Sequence, residues 1–135
     1  MPYNMNRTEL NNIFSIAEKQ LLESRRLKFK KCNTWRSENV PNEAGIYAVF
    51  ENESELLYVG ESGNLNARMS EINRTVNHSF RRQIGHLKFQ GVKSTKKFSE
   101  KIEILLDEYF AKCLYVSFLP INFGRLEIET YLITR

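Results

Sequence analysis

Apolar residues recur along the chain with two spacings, one typical of helices and one typical of strands. The first stripe at helical spacing consists of Leu10, Ile13, Phe14, Ala17 and Leu21. Further helices are predicted over 64–72, 79–87 and 99–113 and from Arg125 onward. The stripe within 99–113 is the most regular of them, with apolar residues three, four, seven and eight positions after Ile102.

Short apolar runs predict three strands between these helices. The runs 44–50 and 56–60 flank a polar segment and therefore predict a hairpin, and 114–119 predicts a third strand. The sum is an α/β (α+β) domain with a small sheet and helices around it. Residues 1–42 are interpreted as an N-terminal helix with a basic connector, and 43–135 as one compact unit.

Composition limits the class of protein. The chain has 135 residues, of which 41% are hydrophobic and 27% charged, as in a folded single domain. It contains no apolar run near the roughly 20 residues that cross a bilayer, so no membrane association is expected. Cys32 and Cys113 are too few for a disulfide framework, so we expect reduced thiols and a cytoplasmic location.

Positive charge is concentrated in one part of the chain. The formal net charge is +4, but nine basic and two acidic residues lie between Arg68 and Lys101, a local balance of +7. Such a segment favours a polyanion, although a solvated surface explains it equally well on charge alone. The basic residues predicted to follow a phosphate backbone are Arg74, Arg81, Arg82, Lys88, Lys93, Lys96 and Lys97.

Several common sites are excluded by the motifs that are missing. The chain has no CxxC and no histidine pair at zinc-ligand spacing, and it has no GxGxxG, Walker or GxSxG motif. The hairpin and the residues after it carry a different pattern. That pattern consists of Gly45-Ile46-Tyr47, Tyr58-Val59-Gly60, Asn64-Leu65, Arg68 and a late Glu129 that lies three residues before a Leu-Ile pair.

These residues, in this order and at this spacing, resemble the GIY-YIG endonuclease superfamily. The resemblance implies a small central antiparallel sheet of three strands flanked by helices. It also implies a metal-dependent DNA endonuclease, with Tyr47, Tyr58, Arg68 and Glu129 meeting at one edge of the sheet. One such site cleaves one phosphodiester, so a double-strand break would need a homodimer or two binding events.

The chemistry of these residue types agrees with the implied roles. The resemblance makes Glu129 the ligand of one Mg²⁺ or Mn²⁺, and Mg²⁺ suits a site with few protein ligands. An arginine such as Arg68 can bind phosphate oxygens in a fork and stays charged. Tyr47 is expected to be the base and Tyr58 its partner, an order that the sequence alone does not fix. His78 is a further candidate for contact with the scissile phosphate.

Each of these residues also has a plainer interpretation. The tyrosines could be ordinary cross-strand aromatics, Arg68 could pair with Glu71, and Glu129 could pair with Arg125. Two positions depart from the family pattern: Ile72 replaces a frequent His or Tyr, and Glu61 replaces a frequent Lys. The alternative functions are therefore a weakly active or inactive nucleic-acid-binding module and, third, a scaffold for protein contacts.

Overall fold

The computed structural model describes residues 7–52, 54–72, 79–89, 98–122 and 124–134, apart from the side chains of residues 79 and 86. The elements in chain order are α1 (Arg7–Glu23), β1 (Leu27–Lys28), α2 (Asn33–Asn39), β2 (Gly45–Glu51), β3 (Glu55–Ser62), α3 (Leu65–Glu71), α4 (Ser79–Phe89), α5 (Glu100–Cys113), β4 (Leu114–Pro120) and α6 (Arg125–Ile133). Within the described residues, no helix is both long and apolar enough to cross a bilayer.

The four strands form one antiparallel sheet in the order β1-β4-β2-β3. The predicted hairpin is confirmed as β2 and β3, and the third predicted strand as β4. The expectation of three strands is wrong, because β1 adds a fourth by pairing Leu27 with Val116. A two-residue strand is too short to show the alternation from which strands are predicted. The order leaves β3 at one edge of the sheet.

Helices cover both faces of the sheet, so the fold has three layers. On one face, α2, α3, α4 and α5 pack on the sheet through a core that includes Trp35, Leu65, Phe80, Leu106 and Phe110. On the other face, α1 and α6 pack through a core that includes Ala17, Leu21, Ile46, Ile128 and Leu132. Arg68 lies on α3 in the first layer and Glu129 on α6 in the second. Side chains from the two layers can meet only at the edge or end of a strand.

The segment between α1 and β2 is more regular than its sequence pattern indicates. It is expected to be an irregular basic connector, but it contains β1 and α2. Trp35 of α2 is buried and packs edge-on against Phe29, with ring centroids 5.5 Å apart. Aromatic packing therefore orders a stretch whose seven-residue helix is too short to show helical periodicity.

Arg81 corrects one of the predicted DNA contacts. Its side chain is only 1% exposed, and its guanidinium donates to Glu103 at 3.0 Å and to Asp107 at 2.9 Å. The two carboxylates lie four residues apart and so share one face of α5. A buried and doubly paired arginine joins α4 to α5, so it does not reach a phosphate backbone.

Replacing Arg81 with methionine is expected to lower the free energy of unfolding by about 2–3 kcal/mol. The change leaves the Glu103 carboxylate without its cation, whereas Asp107 keeps the Lys31 ammonium at 3.3 Å, and the partial exposure of both carboxylates keeps the loss below that of a fully buried pair. Urea denaturation measures the effect. Lys101→Met, at an exposed position of α5, is the control and should change stability by less than about 0.5 kcal/mol. Equal stability of the two variants would contradict the assigned role of Arg81.

Candidate active site

The two motif tyrosines lie side by side on one face of the hairpin. In the register of β2 and β3, Tyr47 pairs with Gly60 and Tyr58 pairs with Val49. The tyrosine ring centroids are 6.1 Å apart, with the planes tilted by 36°. A Cβ atom at Gly60 would overlap the ring and the hydroxyl of Tyr47. The glycine of the second motif therefore makes the space in which the tyrosine of the first motif lies.

Gly60→Ala is expected to displace Tyr47 and to cost about 1–3 kcal/mol of stability. Tyr47 is only 1% exposed, so its ring has little free volume to move into, and overpacking of a core costs energy of this order. Denaturation in urea measures the loss. Gly63→Ala is the matched control, because a Cβ there would meet only the Arg125 guanidinium at an ordinary 3.7 Å. If both variants were equally stable, Gly60 would have no such role.

The start of α3 is fixed by a dense set of hydrogen bonds. As predicted, Asn64 is the N-cap: its side-chain oxygen accepts from the backbone N–H of Ala67 at 3.0 Å. The backbone N–H of Asn64 donates to the Ser62 hydroxyl at 3.1 Å. The backbone N–H of Leu65 donates to the carbonyl of Glu43 at 2.7 Å. These bonds set the direction of α3, which carries Arg68 back toward the tyrosines.

Arg68 has two partners on different sides. Its guanidinium donates to the Glu71 carboxylate at 2.9 Å, and it also forms a side-chain hydrogen bond with Tyr47. Burial lowers the pKa of Arg68, but Tyr47 and Glu71 together outweigh burial and raise it. The side chain remains 24% exposed. Arg68 is thus a permanent cation at the tyrosine pair that still has access to solvent.

The environment of Tyr47 opposes its predicted role as the base. Burial, the largest effect, raises the pKa of Tyr47 far above the usual range of tyrosine. The hydrogen bond with Arg68 lowers the pKa and the neighbouring Tyr58 raises it, and the balance stays strongly raised. Tyr47 is therefore a neutral phenol at pH 7. Tyr58, with which it shares a hydrogen bond, is only half-buried.

Glu129 reaches the same region from the opposite layer. It lies on α6 and is half-buried, and burial raises the pKa of its carboxyl. A backbone hydrogen bond from Glu61, at the edge of the sheet, lowers that pKa, as does the charge of Arg68, whereas the Glu61 carboxylate raises it. Glu129 thus lies near enough to Arg68 for the arginine charge to lower its pKa, and Arg68 itself hydrogen-bonds to Tyr47.

The donor set around Glu129 fits a weakly liganded divalent cation. Among the residues that the structure describes, no group of three or more His, Cys, Asp or Glu side chains could hold a metal ion. Mg²⁺ does not need such a group, because it usually keeps several waters and takes one or two carboxylates besides substrate phosphate. Glu129 supplies one carboxylate and Glu61 lies beside it.

Comparison with known proteins agrees with this geometry. The family model described as the GIY-YIG catalytic domain matches residues 43–134. The chain belongs to the GIY-YIG family. Its catalytic domains are nuclease domains, so the substrate class is nucleic acid. No curated protein and no solved structure matches the chain.

The remaining predicted residues of the GIY-YIG domain fall into three groups. Ile72 is fully buried in the core beside α3, so it offers no polar group at its position. Arg82 is half-buried, and the Lys88 ammonium lies 3.5 Å from the Glu51 carboxylate and over the ring of Tyr109. The residues that lie outside the described part of the chain are Arg74, His78, Lys93, Lys96 and Lys97.

Arg125 is a residue of this site that the sequence pattern does not identify. Local spacing pairs it with Glu129 on the surface of one helix, but the structure places its guanidinium 3.6 Å from the Glu61 carboxylate on β3. It also donates to the backbone carbonyl of Ser62. The only signal in the sequence is the acidic residue at position 61, where the GIY-YIG pattern often has a lysine.

Proposed function

We propose that this protein is a divalent-metal-dependent endonuclease that hydrolyses DNA phosphodiester bonds. The observation that carries the proposal is that Arg68 interacts with both Tyr47 and Glu129. One guanidinium hydrogen-bonds to Tyr47 of the tyrosine pair and acts electrostatically on Glu129 from the opposite layer. A proton acceptor, a permanent cation and a carboxylate are the groups that phosphodiester hydrolysis requires.

Arg68 supplies the positive charge for the reacting phosphate. Attack of water on phosphorus gathers negative charge on the non-bridging oxygens, and a guanidinium stabilises that charge through two parallel hydrogen bonds. The helix that carries Arg68 is anchored at its first turn by Asn64, and its partner Glu71 is exposed enough to release it. Arg68 is therefore held near its place before the substrate binds.

The tyrosine pair removes the proton from the attacking water. Because burial keeps Tyr47 neutral, we assign the base role to the half-buried Tyr58. The Tyr47 hydroxyl hydrogen-bonds to Tyr58. Tyr58 would first give its own proton to solvent and then, as a phenolate, accept the proton of the attacking water. Arg68 in turn polarises Tyr47. Negative charge on Tyr58 is therefore stabilised by Tyr47 directly and by Arg68 through Tyr47. This assignment, with Tyr58 as the base and Tyr47 as its partner, is the reverse of the one expected from the motifs.

Glu129 would hold the divalent ion, with the Glu61 carboxylate beside it. When bound, Mg²⁺ or Mn²⁺ would stabilise negative charge on the phosphate and on the leaving oxygen. The chain itself keeps the carboxylate in place, through the hydrogen bond from the Glu61 backbone and through the burial of Ile128 on the same helix. The basic residues that would follow the DNA backbone are Arg74, Arg82, Lys88, Lys93, Lys96 and Lys97.

Tyr58→Phe should lower nicking activity about 10²-fold, at the lower end of what a general base contributes. Tyr47→Phe should cost about tenfold, because it removes a supporting hydrogen bond worth roughly 1–1.5 kcal/mol. Initial rates of plasmid nicking measure both effects. A larger loss for Tyr47→Phe than for Tyr58→Phe would reverse the assignment of the two roles.

Supercoiled plasmid tests the proposal as a whole. With Mg²⁺ or Mn²⁺, the wild-type protein should convert supercoiled DNA to the nicked circle, and linear DNA should appear only after a second event. EDTA should stop the reaction. If DNA binds with a steep salt dependence but stays intact with either metal, the protein is a binding module and the endonuclease proposal is wrong. If no DNA binds at low salt, the scaffold alternative gains support.

A further inference from the structure

The segment from Glu61 to Asn64 contacts both helices that carry charged site residues. Asn64 caps α3, and its backbone N–H donates to the Ser62 hydroxyl at 3.1 Å. On the other side, the carbonyl of Ser62 and the carboxylate of Glu61 both bind Arg125, the first residue of α6. The helices that carry Arg68 and Glu129 are thus both attached to the same four-residue segment.

Arg125 and Glu129 lie on one face of α6, the face toward β3. They are four residues apart, which is about one turn, and the buried Ile128 and Leu132 lie on the adjoining stripe. Arg125 contacts the Glu61 side chain, and Glu129 accepts from the Glu61 backbone. Two successive turns of α6 are therefore attached to the end of one edge strand.

The stability of α6 does not explain an arginine at its first position. A cation in the first turn opposes the helix dipole, which favours acidic residues such as Glu127 there. The N-cap Gly124 has a left-handed conformation, with φ of 63°, and makes no side-chain capping hydrogen bond. The contacts of Arg125 with Glu61 and Ser62 are accordingly the polar anchor at this end of α6 within the described residues.

We propose that Arg125 is a positioning residue that holds Glu129 in the geometry needed to bind a divalent cation. Its guanidinium, through Nη1, connects the first turn of α6 to the Glu61 carboxylate and the Ser62 carbonyl, and it compensates the charge of the Glu61 carboxylate beside Glu129. Without it, the first turn of α6 loses its attachment and two neighbouring carboxylates face each other. The role rests on the proposed function, in which Glu129 holds the divalent ion, but Mn²⁺ binding can be measured whether or not the protein cleaves DNA.

Mn²⁺ titration of the whole protein by calorimetry, together with nicking at varied Mn²⁺ concentration, tests the proposal. Arg125→Met should weaken Mn²⁺ binding about 10–100-fold, the usual range for residues that orient metal ligands. It should raise the Mn²⁺ concentration for half-maximal nicking by a similar factor, with a smaller change in the rate at saturating metal. A residue that only stabilised the fold would leave the metal dependence unchanged.

Arg7→Met is the matched control, because Arg7 is also the first residue of its helix and is exposed. It should bind Mn²⁺ as the wild type does. Arg125→Lys provides a second variant if Arg125→Met does not fold. Lysine keeps the charge, but its ammonium ends a shorter side chain and cannot take the place of Nη1 against both the Glu61 carboxylate and the Ser62 carbonyl. Mn²⁺ binding should therefore weaken less than in Arg125→Met but still measurably. Wild-type Mn²⁺ affinity in Arg125→Lys or in folded Arg125→Met would overturn the proposal.

The outcomes separate this inference from the proposed function. If Arg125→Met weakens Mn²⁺ binding but the wild type never nicks DNA, the positioning role stands and the nuclease proposal fails. If the wild type nicks DNA and Arg125→Met nicks it with the same Mn²⁺ dependence, the nuclease proposal stands and the positioning role is wrong.

Discussion

Glu129→Gln is expected to lower plasmid nicking by about 10³-fold or more while leaving the fold intact. The carboxylate is the group that would hold the divalent ion, and a metal contributes several kcal/mol to transition-state stabilisation, at about 1.4 kcal/mol per factor of ten. Glutamine keeps the size of the side chain and can still accept the hydrogen bond from the Glu61 backbone. Removal of the charge is therefore tested with little change in packing.

The matched control is Glu127→Gln, an exposed carboxylate two residues earlier on the same helix. It should nick plasmid within about twofold of the wild type, because its charge lies on the outer face of α6. Circular dichroism and the unfolding midpoint should be alike for both variants. Equal nicking rates for Glu129→Gln and Glu127→Gln would show that the Glu129 carboxylate takes no part in hydrolysis.

Arg68→Ala is expected to lower nicking by about 10³-fold. The loss of one preorganised donor at a developing negative charge costs 10²–10³, and the loss of an arginine that contacts a transferring phosphoryl group costs more. The change also removes the hydrogen bond to Tyr47, which supports the tyrosine pair. Arg68→Lys keeps a charge but not the fork, so we expect a loss of about 10–10²-fold, intermediate between alanine and the wild type.

Glu71→Gln tests whether Arg68 acts by contacting the phosphate or only through its ion pair with Glu71. Arg68 contacts Glu71 at 2.9 Å, and a partly exposed i,i+3 ion pair on a helix surface is worth only a few tenths of a kcal/mol. Its removal should therefore leave nicking within about threefold of the wild type. If Glu71→Gln lost as much activity as Arg68→Ala, the ion pair and not the phosphate contact would explain the loss.

Elements with a long repeating pattern could be predicted from the sequence. The apolar stripe of α5 and the two apolar runs of the hairpin are long enough to be recognised, and the structure places these elements within a few residues of the prediction. The elements β1 and α2 are too short for a period to appear. They form because Phe29 and Trp35 are buried against α5 and the sheet, and such tertiary contacts leave no local signal.

In the candidate site, too, some residues could be predicted from the sequence and others could not. The motif residues could be predicted because family spacing marks them. In the structure Arg68 hydrogen-bonds to Tyr47, and its charge lowers the pKa of Glu129. The contact of Arg125 with Glu61 joins positions 64 residues apart, and no periodicity predicts it.

Two features that composition does not reveal are the burial of Arg81 and the burial of Tyr47. Arginine is usually exposed, yet Arg81 is buried because α5 presents Glu103 and Asp107 on one face. Tyr47 is expected to be the base on motif grounds, yet its ring lies in the core over Gly60 and burial keeps its hydroxyl neutral. Both depend on which side chains surround the group in three dimensions.

A crystal structure with a short DNA duplex and Mn²⁺, located by its anomalous signal, would show whether the proposed site binds metal and phosphate together. We expect one Mn²⁺ bound to the Glu129 carboxylate, with a phosphate between that ion and the Arg68 guanidinium and with Tyr58 facing the phosphorus. An ion held elsewhere, or a phosphate backbone that passes the hairpin without contacting Arg68, would contradict the proposal.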